Sequence, residues 1–286
     1  MERVDIAIIG TGPAGISAAI NAKIRKKSFY LFGPNTLSEK IRRSELIMNY
    51  PGMPTVTGEE LNASLRRHLE EMGIGITEKR ITGIFKMRGY YYLLADQEEF
   101  EARCVIFAAG VEATKPVPGE RDLLGHGVSY CATCDGHLYK GKTIAVVCDN
   151  PGMEEEVLYL AELADKVYFE AKSKDPGVTA PNVERLSSPI AAVLGEGRTG
   201  GIRLKDGTEI PLSGVFFLKQ SVSPAVLLKG LETENGQVKV DRRMATNKEG
   251  CFACGDCTGA PYQIAKAVGE GNIAAHSAVA YLAEKS

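Results

Sequence analysis

The sequence predicts an α/β protein built of two Rossmann-like, three-layer domains, and three stretches carry that prediction. Val4–Ile9, apolar except for Asp5, reads as a buried strand, followed by Gly10-Thr11-Gly12-Pro13-Ala14-Gly15 and an Ala-rich helical run from Ile16 to Ile24. Ile144–Val147, a helix from about Met153 to Ala164 and Val167–Phe169 repeat that strand–helix–strand outline. Gly250 to Asp256 reads as a short strand ending in Gly-Asp, with a helix running through Ala267 to about Ala283. Strands alternating with helices indicate parallel sheets covered by helices.

The first stretch has the order that a dinucleotide fold requires. Gly10 permits a tight turn, Gly12 lets the backbone approach a pyrophosphate, and Gly15 lets helix and strand pack closely. The helix N-terminus adds free amides and partial positive charge. The alternative is an ordinary glycine turn in a βαβ unit; a strand before and a helix after favour the nucleotide reading. The second strand, Ser28 to Phe32, ends in Phe32-Gly33 without the acidic residue that takes ribose hydroxyls. That counts against NAD and leaves FAD open.

Asn49-Tyr50-Pro51-Gly52 taken alone is a Pro-Gly turn. Glu59 to Glu71 places Leu61, Leu65 and Leu69 four residues apart, the period of an amphipathic helix. Tyr90–Leu94 and Cys104–Ala108 read as strands. The second ends in Ala108-Ala109-Gly110, small residues suited to lie under a nucleotide. Pro116, Pro118 and Gly119 mark a hinge into a second domain.

The chemistry centres on Cys131-Ala132-Thr133-Cys134-Asp135-Gly136. Two thiols at this spacing can close a small disulfide and exchange it with another protein's, with a depressed thiol pKa. Asp135 is the candidate acid/base for the thiol protons. The same spacing serves as half a zinc site, which needs two further ligands. The four histidines, at 68, 126, 137 and 276, form no spaced pair. Cys251, Cys254 and Cys257 have the spacing of an iron–sulfur run but lack its fourth Cys and Pro. They read as small buried thiols at a strand end, and no metal is expected.

The second strand–helix unit has its loop at Cys148-Asp149-Asn150-Pro151-Gly152, without the glycine triplet. Asp149 to Asp175 holds eight acidic and three basic residues, a net of −5. Such charge repels a phosphate. The fold of a nucleotide domain is expected here without its chemistry. Asp256 at the last strand end can accept hydroxyls of a ribitol chain, and the helix after it can stabilise negative charge.

Composition sets the outer limits. The 286 residues are 44% apolar and 24% charged, ordinary for a globular chain, and suffice for two medium domains. A net charge of −2 gives no reason to expect a nucleic-acid or membrane partner. No signal peptide is read at Met1–Asp5 and no stretch is apolar enough to span a bilayer. Seven cysteines, an odd number, do not form a secreted framework, so a cytoplasmic location is expected.

Together the motifs resemble the low-molecular-weight flavoprotein thioredoxin reductases over nearly the whole chain. The resemblance rests on Gly10–Gly15, Asn49–Gly52, Ala108–Gly110, Gly127-Val128-Ser129-Tyr130 with Cys131–Gly136, and Ala253-Cys254-Gly255-Asp256, with Tyr262 and Gln263. It implies a discontinuous FAD domain, residues 1–114 and 241–286, with a redox-disulfide domain, 115–240, inserted in it. It implies a homodimer whose middle domain rotates. It carries FAD-binding roles to Gly10, Gly12, Pro13, Ala14, Gly15, Phe32, Gly33, Lys40, Ile41, Asn49, Ala109, Gly110, Gly255, Asp256, Gln263 and Ile264. Catalytic roles fall on Cys131, Cys134 and Asp135, with Cys134 nearer the flavin.

Three departures from the family pattern are specific. The NADPH loop is replaced at Cys148–Gly152, the 2′-phosphate-reading His-Arg-Arg falls on Ala171-Lys172-Ser173, and Gly-Gly-Gln-Leu beside the flavin falls on Ser38-Glu39-Lys40-Ile41. These losses are similar to those of the ferredoxin-dependent flavin thioredoxin reductases. The expected electron path therefore runs from reduced ferredoxin via FAD and the Cys131–Cys134 pair to thioredoxin. Lys23 to Arg43 carries a net of +6, which can steer an acidic partner or be a solvated helix end. Two alternatives remain at this point. One is a dithiol flavoprotein with another donor, NADPH bound atypically or a second flavin, and another disulfide protein as target. The other is a non-catalytic or metal-binding protein with Cys131–Gly136 as a half-site.

Overall fold

The stretch Val4–Ile9 forms β1, buried along almost its whole length and paired in parallel on both sides. Burial on both faces is what the apolar residues Ile6–Ile9 require, and Asp5, the one polar residue, is only half-buried. A computed structural model describes residues 3–42, 44–95, 98–110, 116–149, 153–171, 177–219 and 223–285, with Cys134 described by its backbone alone. After β1 the helix α1 (Pro13–Ile24) starts at Pro13, earlier than the apolar pattern alone suggests. Proline pre-sets the first helical φ and loses no needed N–H there. β2 (Phe29–Phe32) follows, then the single turn α2 (Glu39–Arg42) and α3 (Gly58–Glu71). A reciprocal capping box between Thr57 and Glu60 fixes the start of α3.

β3 (Ile81–Lys86), β4 (Tyr91–Ala95) and β5 (Glu98–Phe107) make an antiparallel meander. β3, and the first half of β5, go beyond the strands that the apolar runs mark. That half of β5 is polar and partly exposed, so it lacks the burial signal, and its pairing with β4 supplies the order. The second half of β5 pairs in parallel with β1, from Val4–Ala102 to Ile9–Phe107.

The chain then builds a second sheet. Its elements are β6 (Val128–Ser129), α4 (Ala132–Asp135), β7 (Thr143–Cys148), α5 (Glu154–Leu163), β8 (Lys166–Ala171) and β9 (Val183–Arg185). β10 (Ile190–Leu194), β11 (Gly201–Leu204) and β12 (Glu209–Pro211) form a separate antiparallel sheet. β13 (Gly214–Leu218) returns to the centre, giving a parallel sheet in the order β6-β13-β7-β8-β9. Its core includes Ile144, Val146, Val157, Leu160, Val167 and Phe216.

The remaining elements are α6 (Pro224–Leu227), the small pair β14 (Thr233–Glu234) and β15 (Gln237–Val238), β16 (Cys251–Ala253) and α7 (Ile264–Glu284). β16 joins β5 in parallel, so the first sheet has a parallel run β2-β1-β5-β16. The alanines of α1 and α7 share its core with Ile6, Ile8, Cys104 and Ile106. Two units result: Met1–Val111 with Ser223–Ser286, and Glu112–Val222. Both are α/β with parallel sheets, as the sequence predicts. No helix among the described residues is long and apolar enough to cross a membrane.

Candidate functional site

In the first unit the ends of β1, β2 and β5 enclose the glycine loop. Gly10 has φ +119°, and a Cβ there would lie 2.2 Å from the carbonyl oxygen of Ala108. A Cβ on Gly15 would lie 1.8 Å from the Gly10 carbonyl oxygen. Side chains at both positions would collide with backbone, which gives these glycines their local reason. In front of Gly12 the situation is the reverse: a Cβ would meet nothing within 4 Å. Gly12 is also the N-cap of α1, with no side chain capping it, and Pro13 follows. Uncapped amides facing open space beside Ala14 fit a pyrophosphate. Gly33 ends β2 over Thr11, whose hydroxyl donates to the Pro34 carbonyl at 3.0 Å.

The second half of this site comes from the C-terminal stretch. Gly255–Thr258 forms a single 3₁₀ turn after β16. Lys266 fixes it by donating to the carbonyls of Gly255 (2.8 Å) and Gly259 (2.6 Å) and to the Thr258 hydroxyl (3.0 Å). Glu270 accepts from the Gly255 N–H and the Thr258 hydroxyl, each at 2.8 Å, and pairs with Lys266 at 3.2 Å. The turn presents Asp256, whose carboxylate meets the Lys40 ammonium at 2.6 Å. Asn49 donates to Gln263 at 2.8 Å, joining the Pro-Gly turn to the N-cap of α7.

Gly10, Gly12, Gly15, Lys40, Asn49, Gly255, Asp256 and Gln263 therefore belong to one unit and line linked strand and helix ends. Ala109 and Gly110 follow β5, and the Ala109 backbone hydrogen-bonds the Cys257 thiol. Two predicted residues sit differently. Phe32 is buried edge-on against Phe100 at 5.0 Å, and its carbonyl accepts from Gly10 N–H. Ile41 is a core residue beside Ile47 and Leu61, with Ile264 packed against it. Both shape the site through packing. Lys266 and Glu270 were missed; their signal is a Lys–Glu pair four residues apart at the start of a helix.

Cys251, Cys254 and Cys257 are free, buried thiols. Burial pushes Cys251 and Cys257 up to about 12 and raises Cys254 well above the ordinary thiol value. Cys257 donates to the Cys254 carbonyl at 3.2 Å. No group of three or more metal-ligating side chains gathers among the described residues.

In the second unit, Cys131 is buried and held in a disulfide. The side chain of Cys134 lies outside the described residues, while its backbone belongs to α4. Asp135 closes α4, and its N–H donates to the Cys131 carbonyl at 3.3 Å. Ser129, at the end of β6, organises the group. Its hydroxyl accepts from the Cys131 N–H at 3.0 Å and stands 2.6 Å from the Asp135 carboxylate, to which it donates. In the sequence Ser129 stands out only within the motif before the cysteines; in the fold it bridges Cys131 and Asp135.

Where a nucleotide domain seats phosphates, this unit is acidic. β7 ends at buried Cys148, and the first turn of α5 carries Glu154, Glu155 and Glu156. Residues 150–152 and Lys172-Ser173 lie outside the described residues.

The basic stretch of the first unit divides in space. Lys23, Arg25, Lys26 and Lys27 lie at the C-terminal end of α1 and beyond it. Lys40 reaches Asp256, beside Gly255, where a Cβ would touch Ala14 near the helix start. About 1.5 Å per residue along α1 separates the two groups by some 14 Å. Arg42 pairs with Glu39 at 2.8 Å, and Arg43 lies outside the described residues.

Comparison with known proteins gives the same frame. The family described as "Pyridine nucleotide-disulphide oxidoreductase" matches residues 4–174 and 179–271. The chain is 32% identical to the thioredoxin reductase of Bacillus subtilis (strain 168), over 98% of this chain and 95% of that one. The crystal structure of a ferredoxin-flavin thioredoxin reductase from Clostridium acetobutylicum is similar with a TM-score of 0.91 and 45% identity, covering 100% of this chain and 99% of that one. An atypical thioredoxin reductase from Desulfovibrio vulgaris Hildenborough gives 0.71 and 31% over 99% of both. This chain belongs to the pyridine nucleotide-disulphide oxidoreductase family, among the thioredoxin reductases.

Proposed function

We propose that the chain is an FAD-containing, ferredoxin-dependent thioredoxin reductase whose redox pair is Cys131 and Cys134. The observation that carries the choice of donor is the triple carboxylate, Glu154 to Glu156, at the first turn of α5. A helix start favours anions, and here three side-chain anions already occupy it. NADPH would bring further negative charge to that place. The 45% identity to a ferredoxin-flavin thioredoxin reductase supports the same reading.

A bound flavin exchanges electrons singly or in pairs, matching a one-electron donor to a two-electron disulfide. The Gly10–Gly15 loop would hold its pyrophosphate against the amides of α1, and Asp256 would accept ribitol hydroxyls. Asn49 and Gln263, already bonded to each other, would border the ring. Opening the disulfide requires protons as well as electrons. Asp135, held by Ser129 next to Cys131, supplies and removes them. The thiol that attacks thioredoxin then forms a mixed disulfide. The protein acts as a cytoplasmic homodimer in this reading.

The test is anaerobic. Reduced ferredoxin bleaches the flavin absorbance and supports thioredoxin reduction, while NADPH and NADH leave it unchanged. Bleaching by NADPH at a rate matching ferredoxin would overturn the proposed donor.

A further inference from the structure

A buried charged cluster meets Tyr130, the residue before Cys131. Glu120 and Lys219 are 1% and 2% exposed and form an ion pair through Oε1 and Nζ. The Tyr130 hydroxyl donates to the same Oε1 at 2.7 Å, and the Val117 N–H donates to Oε2 at 3.0 Å. The Lys219 ammonium lies 5.4 Å from the Tyr130 ring centre and 5.3 Å from that of Phe217. One carboxylate thus gathers the segment before β6, the residue after β6 and the residue after β13.

Sheet register explains why these residues meet. β6 pairs with β13 through Ser129 and Phe216. Tyr130 is the next residue on one strand, and Lys219 comes just past the end of the other. β6 is only two residues long, so its ladder alone holds the chain weakly.

A buried ion pair is a poor stabiliser. Desolvation of both charges offsets their attraction, and apolar residues of equal volume commonly do as well. Its contribution is direction: fixed donors on a fixed carboxylate. Tyr130 is covalently joined to Cys131, whose own N–H is held by Ser129. We propose that Glu120 and Lys219 act through Tyr130 as positioning residues, pinning Cys131 in the geometry needed to close and reopen its disulfide. This rests on reading Cys131 as the working redox residue.

The test measures how well the two thiols are held together. In a glutathione titration of the flavin-loaded protein, one protein S–S bond opens as two glutathione thiols become glutathione disulfide. Thiol and disulfide fractions of the Cys131–Cys134 peptide are counted after alkylation. Tyr130→Phe removes the pinning hydroxyl, and Lys219→Met removes the cation. With Cys131 loosened, the constant for forming the disulfide falls about tenfold in each, about 30 mV for this two-electron couple. Lys219→Arg keeps the charge and restores the constant to within about twofold of the parent, well inside that change. A Tyr130→Phe protein with the parent's constant overturns the pin, whatever its melting temperature. If Lys219→Met does not fold, the tyrosine and arginine variants decide the matter by the same criteria. A parent disulfide that excess dithiothreitol never opens, the dithiol being oxidised to its own cyclic disulfide as the protein bond breaks, would overturn the redox reading of Cys131 itself, which separates the two failures.

Discussion

The Lys40 ammonium lies 2.6 Å from the Asp256 carboxylate and 5.3 Å from the centre of the Tyr262 ring. The pair joins α2 to the turn after β16, two segments 216 residues apart. Its two ends differ in exposure, with Lys40 at 63% and Asp256 at 16%. Solvent screens the lysine, so Lys40→Met costs less than about 1 kcal/mol of stability. If Asp256 accepts the ribitol hydroxyls as proposed, Asp256→Ala weakens flavin binding by about 1.5–3 kcal/mol, roughly ten- to a hundredfold. Flavin retained on desalting, read by visible absorbance, checks both. Equal retention by Asp256→Ala and the parent would remove Asp256 from the site.

The loop at Gly10–Gly15 tolerates less. A methyl on Gly15 lies 1.8 Å from the Gly10 carbonyl, and the nearest atoms are backbone that cannot rotate away. Gly15→Ala therefore forces α1 off β1 and costs about 3 kcal/mol, at the upper end of overpacking penalties. Gly12→Ala meets open space and leaves the flavin-free protein's stability within about 1 kcal/mol of the parent. Urea unfolding of the two flavin-free variants separates them. Equal midpoints would contradict the packing described here.

The ease of reading the sequence follows the range of the interactions. The glycine loop and α1 were legible because a strand, a turn and a helix within about twenty residues fix one another. Asn49 looked like part of a simple turn, since its partner Gln263 is 214 residues away and no local pattern records it. The family resemblance places Phe32 and Ile41 beside the cofactor, while their side chains pack in the core. Glu120 and Lys219 were invisible for another reason. A charged residue is normally exposed, and nothing local marks the few that pair inside. The run from Lys23 to Arg43 is one basic stretch in sequence, while in space Lys23 lies in the last turn of α1 and Lys40 is committed to Asp256.

The acidic start of α5 has a measurable consequence. Glu154, Glu155 and Glu156 face the positive end of the helix, each stabilising by about 0.3–1 kcal/mol at low ionic strength. Their mutual repulsion cancels part of this. Replacing all three by glutamine lowers stability by about 1 kcal/mol in low salt, and the difference narrows as salt is raised. Melting temperatures at two ionic strengths test it. Glu154 also accepts the Gly177 N–H at 2.9 Å, so that bond accounts for any part of the loss that survives high salt, and a loss wholly undiminished by salt would leave the helix dipole no share.

The buried thiols set how the protein responds to alkali. Cys251 and Cys257 titrate at about 12 in the folded chain because burial disfavours the thiolate, against 9.0 for an ordinary thiol. Above about pH 9 the unfolded chain releases thiol protons that the folded chain retains, so the folded state binds more protons and stability falls as pH rises. The contribution is intact below the unfolded value and is lost progressively towards about 12, at up to about 1.4 kcal/mol per pH unit for each thiol. Tyrosines and lysines titrate in the same range, so the informative quantity is a difference. Cys251→Ala with Cys257→Ala flattens the fall in the urea midpoint between about pH 9 and 11 relative to the parent. In the parent at neutral pH, iodoacetamide should label the reduced pair while sparing Cys104, Cys251, Cys254 and Cys257, whose protonated sulfurs are poor nucleophiles. Rapid labelling of Cys257 in the folded protein would show that the strand end after β16 opens to solvent, and the alkaline argument would lose its basis.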